Sequence, residues 1–140
     1  MTTNFVDYGS VRLRIHRGRL LNRADSVPQN AQMQEAVCEQ QGLTVDAAGR
    51  YIYDIVRGPN VVTVLEIEPG TGEVKPVQHQ PIDGKWPRGC ALSPDGRFLV
   101  VCCLGSDKIV VFAVGENGRL TPTGYEYPNA AAAYATFCQV

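Results

Sequence analysis

The stretch ALSPDGRFLVVCC, residues 91–103, contains an apolar run, a tight turn and a second apolar run. Pro94, Asp95 and Gly96 are turn-forming residues, so the pattern predicts a β-hairpin. A weaker copy, LTVDAAGRYIYDI, occupies residues 43–55. Two copies of one hairpin in a chain of 140 residues indicate an internal repeat.

The repeat extends well beyond the hairpin. Gly49-Arg50 and Gly96-Arg97 are 47 residues apart, and at this offset VDAAGRYIYDIVRG aligns with LSPDGRFLVVCCLG. The segments that follow also align, with a shift of one residue at the turn. A partial copy, VRLRIHRGRLLNRADSVP, comes first, at residues 11–28. Successive segments that match in the same order indicate a duplicated structural unit.

Each full unit predicts four short β-strands. In the last unit we expect them near residues 89–93, 97–103, 108–114 and 120–126, which are rich in β-branched and aromatic side chains. These runs lack the three- and four-residue apolar spacing of a helix. Four strands repeated every ~40–50 residues are typical of a β-propeller blade. We therefore predict an all-β chain of about two and a half four-stranded antiparallel blades.

The repeat also predicts how the chain is divided. We expect an outer half-blade at residues 10–28, whole blades at 38–82 and 86–128, and a segment at 129–140 that supplies a ring-closing strand or, in NAAAAYATF, a short helix. Propellers have ~4–8 blades, so this number cannot close a ring. Either the chain is a piece of a longer protein, or copies associate through their open blade edges.

Composition excludes several classes of function. The net charge is −1, which does not favour binding to nucleic acid or to an anionic membrane, and no apolar run has the length of a membrane span. The five cysteines include no CxxC pair, and buried free thiols in the cytoplasm are the expected interpretation. With two histidines, a histidine-based metal cluster is not expected, and no cofactor is implied.

The last unit resembles a known family. GKWPRGCALSPDGRFLVVCCLGSDKIVVFAVGENGRLTPTG is similar to the last blade of the lactonase family of seven-bladed propellers. This family includes the propeller type of 6-phosphogluconolactonase and the fungal carboxymuconate lactonizing enzymes. The resemblance covers residues 10–140, which correspond to about the C-terminal third of a family member. It implies a hydrolase that acts on a sugar-acid lactone such as 6-phosphogluconolactone.

The resemblance implies two substrate-binding arginines. Arg88, in WPRG, matches the arginine of the family's PRNF, and Arg57, in IVRGP, matches the arginine of SNRG. A planar guanidinium binds a phosphate or carboxylate at two points, which suits a sugar-acid substrate. The structural alternative for each arginine is an ion pair between blades or a solvated turn.

The general base is harder to place. The position where the family carries a glutamate falls on Gly42, and Glu39 takes the catalytic role only if the loop is realigned by three residues. Cys102, Cys103 and Leu104 replace polar residues of the family. We expect His79 to be exposed on an outer strand, and Trp86 either to stack on a sugar or to be buried between blades.

Two classes of function remain open at this stage. One is a lactone hydrolase in which Arg57 and Arg88 bind the anion and Glu39 activates water. The other is a non-catalytic propeller module for binding or scaffolding, or a truncated, inactive lactonase paralogue. Because a site spread over several blades loses its preorganisation when blades are missing, we expect weak or no turnover from the isolated chain.

Overall fold

The structure is a computed structural model that describes residues 3–8, 11–16, 19–26 and 39–138, with side chains described from residue 42 to residue 138. Within these residues the chain forms β-strands and one short 3-10 turn. In chain order they are β1 (Thr3–Tyr8), β2 (Val11–His16), β3 (Arg19–Ser26), β4 (Glu39–Val45), β5 (Tyr51–Arg57), β6 (Val61–Ile67), β7 (Val74–Pro81), β8 (Pro87–Leu92), β9 (Phe98–Cys103), the 3-10 turn Leu104–Ser106, β10 (Lys108–Val114) and β11 (Leu120–Pro128).

The strands form three antiparallel sheets, each with neighbouring strands in chain order. The first is β1-β2-β3, the middle sheet is β4-β5-β6-β7, and the last sheet is β8-β9-β10-β11. The four strands of the last sheet agree with the sequence-based expectation to within about two residues at each end. The predicted all-β fold of propeller blades is therefore confirmed. The division into units at 10–28, 38–82 and 86–128 stays a prediction.

A shared apolar core joins the middle sheet to the last sheet. Alternate residues of their strands meet between the sheets, because side chains of a strand alternate between its two faces. The fully buried members include Tyr53, Ile55, Val64, Leu99 and Val101. β8 packs against β4 and β5, so the first strands of the two sheets lie side by side.

Polar contacts fix the relative position of the same two sheets. The hydroxyl of Tyr53 donates a hydrogen bond to the Gly118 carbonyl, at 2.9 Å. The side-chain amide of Gln78 donates to the Leu120 carbonyl at 2.9 Å and accepts from the Leu120 N–H at 2.7 Å. The two Gln78 bonds join β7 to the start of β11, and the Tyr53 bond joins β5 to the turn that precedes β11.

The other face of the last sheet, which we call the outer face, is less covered. Phe98 is 39% exposed there, and Val100, Ile109 and Val111 are partly exposed. By contrast Leu99, next to Phe98 on the same strand, has no exposed surface. Blades of a propeller bury such faces against a neighbouring blade, so this face has the character of an inter-blade surface.

The C-terminal segment is held against the last sheet without forming a strand or helix between residues 129 and 138. The N–H of Asn129 donates to the Asp107 carbonyl, and the N–H of Ala131 donates to its carboxylate, both at 2.8 Å. Ala132 is buried. The predicted helix of NAAAAYATF is not formed, and a ring-closing role for residues 129–140 stays a prediction.

The four cysteines that the structure describes are free thiols, and the prediction that they are buried is wrong for Cys138. Cys102 and Cys103 are buried, Cys90 is partly buried and Cys138 is exposed. Burial raises the pKa of Cys90 to about 12, with a further contribution from the charge of Asp54. Burial also raises the pKa of Cys103 to about 11, although Lys108 opposes the shift. These thiols therefore remain protonated, and unreactive, at neutral pH.

We expect iodoacetamide at pH 8 to modify Cys138 well before Cys90, Cys102 or Cys103. The reason is that only thiolates react quickly, and burial both raises the pKa of the other three and excludes the reagent. Peptide mapping by mass spectrometry at successive times measures this order, with the urea-unfolded chain as the control in which all react. Modification of Cys90 as fast as Cys138 would contradict the buried placement of β8.

Candidate functional site

Arg57 lies at the end of β5 and reaches toward the last sheet. Its guanidinium carbon is 5.4 Å from the centre of the Trp86 ring, which is a cation–π distance. Trp86 directly precedes β8, so this contact joins the two sheets at the end where β5 finishes and β8 begins. Arg57 was expected at a family-matching position, and the structure places it beside an aromatic ring from the next blade.

Trp86 is held by the 3-10 turn that follows β9. Its carbonyl accepts a hydrogen bond from the Leu104 N–H at 3.1 Å. A Cβ on Gly105 would come within 3.0 Å of the Trp86 ring, so the indole lies directly on that glycine. Trp86 is nevertheless 56% exposed. It is therefore neither buried between blades nor free to move, and part of its ring faces solvent.

A pocket of about 400 Å³ opens at this end of the sheets. Its volume is within the range of small-molecule sites. The lining residues are two cationic side chains, one amide, one indole and one glycine: Arg57, Lys85, Asn60, Trp86 and Gly58. None of these five lining residues is acidic.

Arg88 has a different partner. Its Nε donates a hydrogen bond to the Tyr134 hydroxyl at 3.2 Å, and its guanidinium carbon lies 5.6 Å from the centre of the same ring. The C-terminal segment lies close to β8 at this point. A Cβ added to Gly89 would overlap the Ala133 carbonyl. Arg88 is exposed and does not line the pocket of Arg57. The two predicted arginines thus share one end of the sheets but contact different rings.

Glu39, the predicted base, begins β4, and its backbone pairs with Arg57 in the ladder between β4 and β5. Its side chain lies outside the described residues. The register places Glu39 at the same end of the middle sheet as Arg57. The glutamate role assigned to this position stays a prediction.

The remaining sequence candidates have structural roles. His79 is exposed on β7, with its Nδ1 3.0 Å from the Thr63 hydroxyl. Asp46 accepts hydrogen bonds from the N–H groups of Arg50 and Tyr51, as a turn residue does. Asp95 likewise accepts from Ser93 and Arg97, and the Ser93 bond is the largest cause of its lowered pKa.

A larger groove of about 790 Å³ lies at the opposite ends of β4 and β8. It is lined by the turns at 46–50 and 93–96 and by residues 135–137. Of its three acidic residues, Asp46 and Asp95 are already engaged in turns and Glu116 is exposed. It contains none of the predicted site residues, so the smaller cationic pocket is the better candidate site.

The described residues contain no group of three or more histidine, cysteine or acidic side chains arranged to hold a metal ion. The same part of the chain has no helix with the length and apolar character needed to cross a membrane.

The sheets and their order define a β-propeller protein. The sequence model of the family described as "Lactonase, 7-bladed beta-propeller" matches residues 13–137. The chain belongs to this family. The resemblance that was based on the last blade is therefore confirmed.

Individual relatives match only part of their own length. The chain is 36% identical over 75 residues to the 6-phosphogluconolactonase of Formosa agariphila, covering 51% of this chain and 21% of that protein. It is 31% identical over 96 residues to that of Blochmanniella pennsylvanica, covering 68% and 28%. The solved periplasmic gluconolactonase of Pseudomonas aeruginosa superposes with a TM-score of 0.71 at 26% identity, covering 89% and 36%. The chain thus spans from about a fifth to just over a third of these relatives.

Three members of the pocket, Gly58, Asn60 and Lys85, are not among the site residues that the sequence predicts. The signal for Lys85 was available, because it stands beside Trp86 just before the strand that carries Arg88. Asn60 gives no such signal, since turn asparagines are common for conformational reasons alone.

Proposed function

We propose that this chain contributes to a lactone hydrolase that acts on a sugar-acid lactone such as 6-phosphogluconolactone. Membership of the lactonase family over residues 13–137 is the observation that carries the proposal. The cationic pocket supports it, because the substrate of such an enzyme carries a carboxylate or phosphate group. Buried free thiols support the cytoplasm as its compartment, although one structural relative is described as periplasmic.

The proposed chemistry needs a base, an anion clamp and oxyanion stabilisation. Glu39 takes a proton from water, and the resulting hydroxide attacks the lactone carbonyl. An arginine stabilises the negative charge that develops on the carbonyl oxygen. The ring C–O bond then breaks, and the leaving oxygen takes back the proton to give the open hydroxy acid. Arg57 and Arg88 are the proposed arginines, since they lie on adjacent blades at the same end of the sheets.

A non-catalytic binding module is the second candidate. The observation that favours it is the contact of Arg88 with Tyr134, which engages the Nε and one face of the guanidinium that the hydrolase would use. In this case the cationic pocket binds a ligand without turnover.

We further propose that a second copy of this chain covers the outer face, because the apolar side chains of that face are those of an inter-blade surface.

We expect the chain to hydrolyse 6-phosphogluconolactone only weakly, and Arg88→Ala to reduce the rate to the uncatalysed background. Each hydrolysis produces an acid, so proton release at constant pH measures it. Arg97→Ala is the control, because Arg97 is an exposed turn arginine away from the pocket. The expected deficit relative to a complete ring is at least ~100-fold, since small displacements of catalytic groups cost that much.

The outcomes separate the two candidates. A rate above background that Arg88→Ala removes and Arg97→Ala leaves unchanged supports the hydrolase. A rate equal to background for the unmodified chain refutes turnover by this chain and leaves the binding module. An enhanced rate that survives Arg88→Ala refutes the role given to Arg88.

A further inference from the structure

The turn between β10 and β11 contains an asparagine that is followed by a glycine, Asn117-Gly118. The other asparagines of the sequence are each followed by a residue with a side chain: Asn4, Asn22, Asn30, Asn60 and Asn129. A main-chain nitrogen can attack the side-chain amide of the asparagine before it, and a side chain on the attacking residue hinders the approach. Glycine has no Cβ and the widest backbone freedom. Asn117 is therefore the asparagine most prone to lose its amide.

The two residues of this pair lie in different environments. Asn117 is exposed, so water reaches its side-chain amide, whereas Gly118 is buried. The Gly118 carbonyl accepts a hydrogen bond from the Tyr53 hydroxyl at 2.9 Å, and a Cβ on Gly118 would overlap the Tyr51 ring. The peptide bond between the two residues thus joins a solvent-exposed amide to the contact between the middle sheet and the last sheet.

The closed turn holds both reacting groups in hydrogen bonds. The Gly118 N–H donates to the Gly115 carbonyl at 2.9 Å. The Asn117 Oδ1 accepts from the Arg119 N–H at 3.1 Å. Attack requires the Gly118 nitrogen to lose its proton and the Asn117 side chain to turn toward it, so both bonds must break. The reaction therefore proceeds when the turn opens locally.

We infer that Asn117 is a site of spontaneous deamidation, which the closed turn restrains and whose isoaspartate product prevents the turn from closing again. This modification goes beyond the proposed function, because it requires no substrate and no second protein. Its reactants are the Asn117 side chain, the Gly118 nitrogen and water.

The reaction closes a ring and then opens it. The Gly118 nitrogen gives its proton to the solvent and attacks the side-chain carbonyl carbon of Asn117. The C–N bond of the side-chain amide breaks, and the departing nitrogen takes a proton and leaves as ammonia. Water then adds to either carbonyl of the succinimide ring, and a ring C–N bond breaks to give aspartate or isoaspartate. The net change is the uptake of water and the loss of ammonia, without oxidation or reduction.

Isoaspartate changes the path of the main chain. The backbone then runs through the former side chain, which places an additional methylene group before the Gly118 nitrogen. The hydrogen bond from the Gly115 N–H to the Arg119 carbonyl, at 2.9 Å, spans this segment and cannot keep its geometry. Gly118 is displaced from the Tyr51 ring, so the modification loosens the contact between the two sheets.

Incubation of the full chain in water enriched in heavy oxygen measures the reaction, because each event places a heavy oxygen in the new carboxylate. Peptide mapping by mass spectrometry, at mildly alkaline pH, is expected to find the label at Asn117 before Asn129. Asn129 is the internal control, since it is also exposed but precedes an alanine. Labelling of Asn117 is expected to be about tenfold or more faster in guanidinium chloride than in the folded chain.

Asn117→Asp is the control for the consequence of the reaction. It introduces the same negative charge without the additional methylene group, and its carboxylate still accepts from the Arg119 N–H. A methyltransferase specific for isoaspartate identifies the isoaspartyl fraction of the aged chain after its separation by ion exchange. This fraction is expected to unfold at a lower urea concentration than Asn117→Asp, which is expected to unfold close to the unmodified chain.

Three results would overturn the inference. The first is labelling of Asn129 as fast as Asn117, which would remove the special reactivity of the pair. The second is an equal rate for Asn117 in the folded and the denatured chain, which would mean that the turn does not restrain the reaction. The third is unfolding of the isoaspartyl chain at the same urea concentration as Asn117→Asp, which would mean that the turn tolerates the longer backbone.

Discussion

Gly118→Ala is expected to lower the free energy of unfolding by about 2–5 kcal/mol, the sum of left-handed backbone strain and overpacking. Gly118 has a φ of 74° and is buried between the sheets. A Cβ there would overlap the ring of Tyr51. Tyr51 is only 7% exposed, so its ring has no open space into which to move. Any shift of the turn also disturbs the hydrogen bond from Tyr53 to the Gly118 carbonyl.

Gly96→Ala is the matched control for backbone strain. Gly96 has nearly the same φ, 71°, but nothing lies within 4 Å of the Cβ that alanine would add. It is therefore expected to cost only the strain, about 1–2 kcal/mol. Urea denaturation followed by circular dichroism measures both variants. Equal losses at Gly96 and Gly118 would mean that Tyr51 does not pack on the turn of the next blade.

The repeated turns show what the sequence can predict well. Gly49, Gly96 and Gly118 stand at turn positions of the repeat, and all three have positive φ values. Glycine at a tight turn is a local signal, because only its own backbone conformation decides the preference. The alternation of apolar residues is equally local. It predicts the strands, and the repeat of four strands predicts the propeller blades.

The pocket shows what could not be predicted. Trp86 has a positive φ value that its residue type does not signal. Asparagine is enriched at positive φ, so Asn60 signals its backbone conformation but not its place in the pocket. Arg88 contacts Tyr134, which lies 46 residues further along the chain. These contacts depend on how one blade is placed against the next, and a repeat pattern contains no information on that placement. Family resemblance gave the positions of the arginines but not their partners.

Leu99→Ala is expected to cost about 2–5 kcal/mol of unfolding free energy, the usual cost of a cavity in a packed core. Leu99 has no exposed surface and lies between the middle and last sheets. The same core holds β8 against β4 and so positions Arg57 beside Trp86. Urea denaturation followed by circular dichroism measures the loss.

Phe98→Ala is the control on the adjacent residue of the same strand. Phe98 is 39% exposed on the outer face, so its removal is expected to cost no more than about 1 kcal/mol. If a second copy covers the outer face, the variant instead lowers the mass that light scattering measures in solution. At a concentration where light scattering shows a monomer, a loss of stability as large as that of Leu99→Ala would mean that the outer face is covered within one chain. That result would refute the proposed self-association, because the apolar surface it requires would already be buried.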